Sequence, residues 1–369
     1  MREYLLVLLV AAGVTYLGAS LARRLAFRYQ AVALVRDRDV HTKPVPYFGG
    51  VAMLAGTVAA FVVANNLPWL GRFESVRHDS LAVLAASAVI AGVGVMDDLF
   101  ELGALAKIAG QVLAAGIVVL GGLKIYWIPL PDRIIALDSV ASVALAVFII
   151  VFCVNAINLM DGLDGLAAGV VAIGGAAFFA YAYLLSFEQD LVRATTAALV
   201  SVALVGVCLG FLPHNVHPAR MFMGDSGSML LGFLLSTSMI SLTGQFDPSR
   251  LDARGGALIG SYLPLLLPFA VMALPFLDLI TAYVRRTMAG KWWFQADKMH
   301  LHHRMLGLGH SHGRAVGLLW LWSAVIAFGT VVIGVWGAWW SYALMAVGLV
   351  AAGVLTWGGR PSRRAASGG

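Results

Sequence analysis

Between Asn155 and Gly165 the chain reads NAINLMDGLDG, with long apolar runs on either side. Two amides and two carboxylates, Asn155, Asn158, Asp161 and Asp164, recur at every third position. Helical geometry would set all four on one drifting face, and the glycines after the two acids would let another backbone approach. A capped helix end accounts for a single Asp-Gly step. Four such groups at the edge of an apolar run, with no Lys or Arg among them, read instead as a site, because ionisable groups at membrane depth are costly.

Other clusters carry complementary chemistry. Asp97 and Asp98 are adjacent, with Glu101 close behind, and neighbouring carboxylates either share a metal ion or hold one raised pKa. Lys107 and Gln111 follow one turn apart in the next apolar run, where Lys107 either snorkels to the interface or meets a phosphate. In GDSGS, Asp225 stands at the expected start of a helix. It offers a hard oxygen ligand beside amides that favour anions, although an ordinary N-cap looks similar. Phe222, three residues upstream, could stack on a base or simply sit at an interface. Lys43 lies in HTKPVPYFGG, where prolines stiffen the loop and the glycine pair admits another backbone. HLHHR supplies His300, His302, His303 and Arg304, with His310 and His312 nearby. No cysteine or acid sits there at a zinc-ligand spacing, so histidines among Lys298, Arg304 and Arg314 favour an anionic, sugar-bearing ligand over a metal.

The elements that must position these groups are membrane helices. Of 369 residues, 60% are hydrophobic and only 12% charged, against about a quarter charged in soluble domains. Apolar windows near 4–22, 48–66, 80–96, 104–123, 139–157, 165–186, 194–212, 228–244, 257–283, 315–334 and 337–357 predict an all-α polytopic membrane protein with about eleven transmembrane helices. The first window lacks a basic leading segment and a cleavage site, and reads as a retained span. An N-terminus outside and a C-terminus in the cytoplasm put most of the 25 Lys and Arg on the cytoplasmic side. Every cluster above then falls on a cytoplasmic turn, which argues for one composite site on that face. Residues 1–358 read as a single integral-membrane domain and 359–369 as a disordered basic tail. Cys153 and Cys208 each sit inside an apolar run, as core residues and not as a disulfide or zinc framework. The net charge of +6 is dispersed among loops, which argues against a nucleic-acid partner.

Acids for Mg²⁺, bases for phosphates, a stacking aromatic and a site at the bilayer surface describe phosphoryl transfer from a nucleotide-activated donor to a lipid. The ordered set HxKPxPxxGG, DD, NxxNxxDGLDGL, GDSGS and HLHHR, over about 37–313, resembles the polyprenyl-phosphate N-acetylhexosamine-1-phosphate transferases. The resemblance implies a bacterial plasma-membrane enzyme that uses Mg²⁺, with Mn²⁺ as a substitute. It would move a sugar 1-phosphate from a UDP-sugar onto a polyprenyl phosphate and release UMP. The HLHHR form and the eleventh span resemble the WecA/TagO branch, which uses UDP-N-acetylglucosamine in the first membrane step of envelope polysaccharide synthesis. The extension KMHLHHRMLGLGHSHGRA resembles actinobacterial members, for which decaprenyl phosphate is the expected acceptor. A homodimer is compatible with the resemblance.

Carried over by position, the resemblance assigns metal binding to Asp225 and Asn158 and an essential acidic pair to Asp97 and Asp98. One of that pair deprotonates the lipid phosphate or, in a rival scheme, an aspartyl intermediate forms. Lys107 matches a lysine on the diphosphate. Lys43, Gly162, Leu163, Asp164, Asn215 and Phe222 match positions around the uridine, with Phe222 on the uracil, and Asn155 and Asp161 are grouped with them. His300, His302, His303 and Arg304 match the segment that closes over the sugar. Three alternatives stand beside this reading. One is a phospho-MurNAc-pentapeptide transferase of the same family. Another is a UbiA-type prenyltransferase, which needs two DxxxD-type motifs where this chain has DD, DxxD and a lone Asp. The third is an ion-coupled transporter with Asp161, Asp164 and Asp278 as a proton path.

Overall fold

The computed structural model describes residues 1–28, 32–33, 45–130, 133–188, 192–243, 258–290 and 300–358. Lys43, Lys298 and the basic tail 359–369 lie outside them. The helices are α1 (Arg2–Arg28), α2 (Gly49–Asn66), α3 (Glu74–Phe100), α4 (Ala104–Leu120), α5 (Ser139–Met160), α6 (Leu166–Glu188), α7 (Val192–Asn215), α8 (Gly224–Thr243), α9 (Leu258–Val271), α10 (Ala273–Met288), α11 (Leu301–Gly307), α12 (His312–Trp336) and α13 (Trp339–Trp357). Among the described residues nine of them, α1–α3, α5–α8, α12 and α13, are long and apolar enough to cross a membrane, and α4 is a shorter apolar helix.

The window expected at 257–283 is two helices, α9 and α10, which part at Met272. Pro275 has no N–H to offer the Val271 carbonyl, so one continuous ladder cannot run through. With that pair and α4, each of the eleven apolar windows corresponds to helix. Two short antiparallel pairs accompany them, β1 (Val32–Ala33) with β2 (Val45–Pro46) and β3 (Trp127–Leu130) with β4 (Arg133–Ala136). The hydropathy pattern announces neither.

Helix α8 is the centre of the bundle. Every residue from Ser226 to Thr243 is buried, and α2, α3, α5, α6 and α7 pack around it. Yet its mean hydropathy is 1.3, against 2.7 for α5. In lipid the apolar surface belongs outside, and small or hydroxylated side chains let helix backbones close up. Ser236 and Thr237 each donate to the Phe233 carbonyl at 2.8 Å. Ser238 donates to the Ala197 carbonyl at 3.2 Å, and its hydroxyl lies 2.5 Å from that of Ser201. Helix α13 is the opposite case, with Leu344, Val347, Val350 and Val354 all exposed for lipid.

Backbone pairing fixes the polar end of α8. Phe222 N–H donates to the Pro46 carbonyl at 3.0 Å, Gly49 N–H to Phe222 at 3.1 Å and Gly50 N–H to Met223 at 2.9 Å. A Cβ on Gly50 would lie 2.3 Å from the Gly227 nitrogen, so the glycine pair admits a second backbone as its sequence suggests. At the other end of the bundle the Glu3 carboxylate accepts the N–H groups of Trp69 and Leu70 at 2.9 and 2.8 Å.

Candidate active site

Helix α3 runs on past its apolar stretch and stops where Glu101 turns to φ 49°, its N–H bonded to the Asp97 carbonyl at 2.9 Å. Asp97 and Asp98 thus stand in the last helical turn, where neighbours point about 100° apart. They do not share one site, as their adjacency suggests. Asp97 Oδ2 meets Lys107 Nζ of α4 at 2.5 Å. Asp98 turns instead to the N-terminus of α8, accepting the Asp225 N–H at 2.7 Å, the Ser226 N–H at 3.2 Å and the Ser226 hydroxyl at 2.9 Å. The anion attracted by the GDSGS amides is therefore the chain's own carboxylate, and it caps α8 from another helix.

Held this way, Asp225 becomes the hub. Its Oδ2 accepts Lys107 Nζ at 2.6 Å, and its Oδ1 accepts Asn158 Nδ2 at 3.0 Å. Asn158 also donates to the Ser228 hydroxyl at 2.9 Å. Lys107 thus bridges Asp97 and Asp225, so its ammonium contacts carboxylates and does not snorkel to solvent. Asp97 Oδ1 is shielded from solvent and accepts no hydrogen bond. A cluster of carboxylate and amide oxygens fits a hard divalent cation such as Mg²⁺. Asp225 and Asn158, the latter through its carbonyl oxygen, are the donors present for it.

The three-residue spacing of the DGLDG segment does not survive as one helical face, because α5 ends at Met160. Asn155 donates to Gln111 Oε1 at 2.6 Å and to the Val151 carbonyl at 2.8 Å, a brace between α5 and α4. Only Asn158 reaches Asp225. Asp161 and Asp164 lie in the turn beyond. Burial pushes the Asp161 carboxyl up to about 8, and the charges of Asp225, Asp164 and Asp98 push it the same way. Asp164 Oδ2 lies 2.8 Å from His217 Nδ1 and accepts the Ala219 N–H at 3.1 Å. The Leu163 side chain is buried in an apolar cluster with Met160, Leu166, Met305 and Leu319. Asn215 ties the turn to the loop before α8, accepting from Gly165 N–H at 2.9 Å and donating to the Met221 carbonyl at 3.0 Å. Phe222 is half-buried and faces Tyr47 with ring centroids 6.3 Å apart.

The histidine segment folds onto this turn. His300 Nδ1 lies 3.2 Å from Asp278 Oδ2, and Leu301 N–H donates to Asp278 Oδ1 at 2.8 Å. The deep acid a proton path would need is instead the anchor of α11. A Cβ on Gly162 would fall 2.4 Å from the His302 ring, so glycine is what leaves room for the imidazole to lie over the turn. Burial there, reinforced by His303, holds His302 down at about 4, so it is neutral near pH 7 and not an anion-binding cation. His303 is half-buried and Arg304 exposed. His310 Nε2 lies 2.9 Å from the Thr356 carbonyl, a tie to α13.

Tyr47 and His217 carry no signal in the sequence motifs, and His312 figures there only as a neighbour of HLHHR. Tyr47 occupies an unspecified position of the first motif, and the two histidines meet partners far away in the chain.

Residues 80–243 match glycosyl transferase family 4. The chain is 46% identical over 334 residues to a decaprenyl-phosphate N-acetylglucosaminephosphotransferase of Mycobacterium leprae, covering 89% of this chain and 83% of that one. It is 31% identical over 315 residues to a probable undecaprenyl-phosphate N-acetylglucosaminyl 1-phosphate transferase of Bacillus subtilis, covering 85% and 80%. It is also 31% identical over 360 residues to a phospho-N-acetylmuramoyl-pentapeptide-transferase of Desulforudis audaxviator, covering 86% and 96%. The stretch that matches the family contains Asp97 through Asp225 and ends before the histidine segment.

Proposed function

The chain belongs to glycosyl transferase family 4, and from that premise we propose that it transfers N-acetylglucosamine 1-phosphate from UDP-N-acetylglucosamine to a polyprenyl phosphate, releasing UMP. It is an enzyme, a membrane-embedded N-acetylhexosamine-1-phosphate transferase. Similarity at 46% to a relative named for decaprenyl phosphate and N-acetylglucosamine supports that acceptor and donor over muramoyl-pentapeptide transfer, where similarity is 31%. The observation that carries the reading is the meeting of Asp97, Lys107, Asn158 and Asp225 from four separate helices.

In the reaction an oxygen of the lipid phosphate attacks the sugar-bearing phosphorus, and the bond from that phosphorus to the bridging oxygen breaks as UMP departs. Asp97 keeps an uncommitted oxygen and is the base for the lipid phosphate proton. Asp98, with three hydrogen bonds to the start of α8, positions Asp225. Lys107 reaches the diphosphate from between the two carboxylates. When bound at Asp225 and Asn158, Mg²⁺, or Mn²⁺ in its place, supplies charge neutralisation for the leaving group. Phe222 and Tyr47 sandwich or flank the uracil, while Lys43, Gly162, Asp164 and Asn215 frame the rest of the nucleotide. His300, His303 and Arg304 face the sugar, with His302 as the packing that seats them. Eleven crossings with the N-terminus outside put this end of the bundle at the cytoplasmic face of the bacterial plasma membrane, where UDP-sugars are. The 1–358 unit acts as a single domain, alone or as a homodimer.

Purified protein with Mg²⁺ and decaprenyl phosphate should release UMP from UDP-N-acetylglucosamine, but not from UDP-N-acetylgalactosamine or UDP-MurNAc-pentapeptide. Release from the pentapeptide donor alone would keep the chemistry and overturn the donor. No release from any donor would overturn the reaction.

A further inference from the structure

Beside the oxygen-rich cluster lies a second group of ligating side chains of different chemistry. Asp164 comes from the turn after α5, His217 from the loop between α7 and α8, and His312 from the first residue of α12. One ligand atom from each lies within 4.8 Å of the other two. The rings of His217 and His312 stack with centroids 4.1 Å apart and planes 18° from parallel. Asp164 Oδ2, already 2.8 Å from His217 Nδ1, is oriented from behind by the Ala219 N–H at 3.1 Å.

His312 is the informative member. Both its ring nitrogens are shielded from solvent, and neither makes a well-aligned hydrogen bond, although the Asp164 backbone lies close. A neutral imidazole carries one donor and one acceptor, and burying them poorly met is costly. A side chain in that state is open to a better-aligned partner than the Asp164 backbone offers.

We propose that Asp164, His217 and His312 form a transition-metal site of the Zn²⁺ class, distinct from the hard-cation site at Asp225. Two imidazoles and one carboxylate are ligands suited to Zn²⁺ and poorly suited to Mg²⁺. Three protein ligands also leave a fourth tetrahedral position for water or a substrate oxygen. Bonds of about 2.0–2.1 Å place tetrahedral ligand atoms roughly 3.4 Å apart, so the group closes by rotating the two stacked rings about their side-chain bonds. The bound ion would fasten the start of α12, and with it the end of the histidine segment, to the turn that carries Asp164 and the loop that carries His217. Sequence spacing cannot reveal such a set, because its members come from three separate segments.

The test uses the full chain in detergent, stripped with chelator and returned to saturating Mg²⁺, which fills hard sites without competing for imidazole. Co²⁺ is then titrated in as a spectroscopic probe. The expected result is one Co²⁺ per chain with a nitrogen-ligated visible band that Zn²⁺ displaces. His217→Gln and His312→Gln should each weaken binding by roughly tenfold or more. His303→Gln and Asp225→Asn should leave it unchanged. No band in the wild-type chain would overturn the proposal and leave a buried water as the partner of His312. A band that survives both His217→Gln and His312→Gln, or that vanishes in His303→Gln, would overturn it too. Should a histidine variant fold poorly, the melting midpoint of the wild-type chain decides. A Zn²⁺-dependent rise under saturating Mg²⁺ supports the site, and no rise refutes it.

Discussion

The carboxylate cluster of Asp97, Lys107, Asn158 and Asp225 stands on the ends of long helices, whereas the histidine half stands on turns, a loop and the seven-residue α11. The first is locked from several sides. Asp98 caps α8, the 46–50 segment pairs with 222–223, and Lys107 sits between opposed carboxylates. The second is held by Asp278 at the start of α11, by Gly162 receiving His302, and by His310 tied to α13. Groups that must meet a metal and a diphosphate to within fractions of an ångström benefit from helix-borne backbones. Under the proposed function the histidine segment instead covers the sugar. The family match follows the same division, covering the helix-borne half and stopping before α11.

The largest expected effect would confirm the cluster as the chemical centre. Asp225→Asn should lower UMP release by about 10³-fold with little change in melting midpoint. Near-normal turnover would dissolve the distinction between the halves. Lys107→Met should be the next most costly change, because it leaves Asp97 and Asp225 facing each other uncompensated. With the lysine about 28% exposed, the loss in metal-free protein should be about 2–3 kcal/mol by chemical denaturation, with partial recovery in Mg²⁺. A loss equal in Mg²⁺ and in chelator would argue against a cation in the cluster.

Phe222→Ala should weaken UDP-sugar binding by about 1–2 kcal/mol and leave lipid affinity alone. Equal loss for both substrates would remove Phe222 from the base pocket. In the other half, Asp278→Asn should cost about 1 kcal/mol of stability by loosening the start of α11. It should raise the donor KM with no change in Mg²⁺ dependence, and a changed metal requirement would show that the halves are not separable.

The last effect is a difference in pH slope. His302 titrates at about 4 in the fold against an ordinary 6.5, so between those values the unfolded chain binds more protons. Its contribution to stability is therefore lost as pH falls from 6.5 toward 4. Asp161 titrates at about 8 against an ordinary 3.8, so there the folded chain binds more protons and stability falls as pH rises from about 4 to 8. Metal-free melting scans should show the acid-side loss shrink in His302→Asn and the neutral-side loss shrink in Asp161→Asn. Unchanged profiles in both variants would show that the two groups are not buried as described.

Much of the architecture was legible in the linear chain. Each apolar window became helix, the glycine pair at Gly49 and Gly50 received a second backbone, and the polar clusters gathered at one end. These features follow from local rules: how long an apolar run is, where prolines and glycines fall, and which types tolerate lipid. Tertiary structure alone decided the rest. It parted Asp97 from Asp98, made Asp278 an anchor, and put α8 at the centre although α5 is more hydrophobic. It also brought Asp164, His217 and His312 together. Periodicity relates a residue to neighbours three or four positions away, while these outcomes depend on which helix ends meet once the bundle has closed. In a membrane that choice is made by backbone approach and polar pairing, which hydropathy does not record.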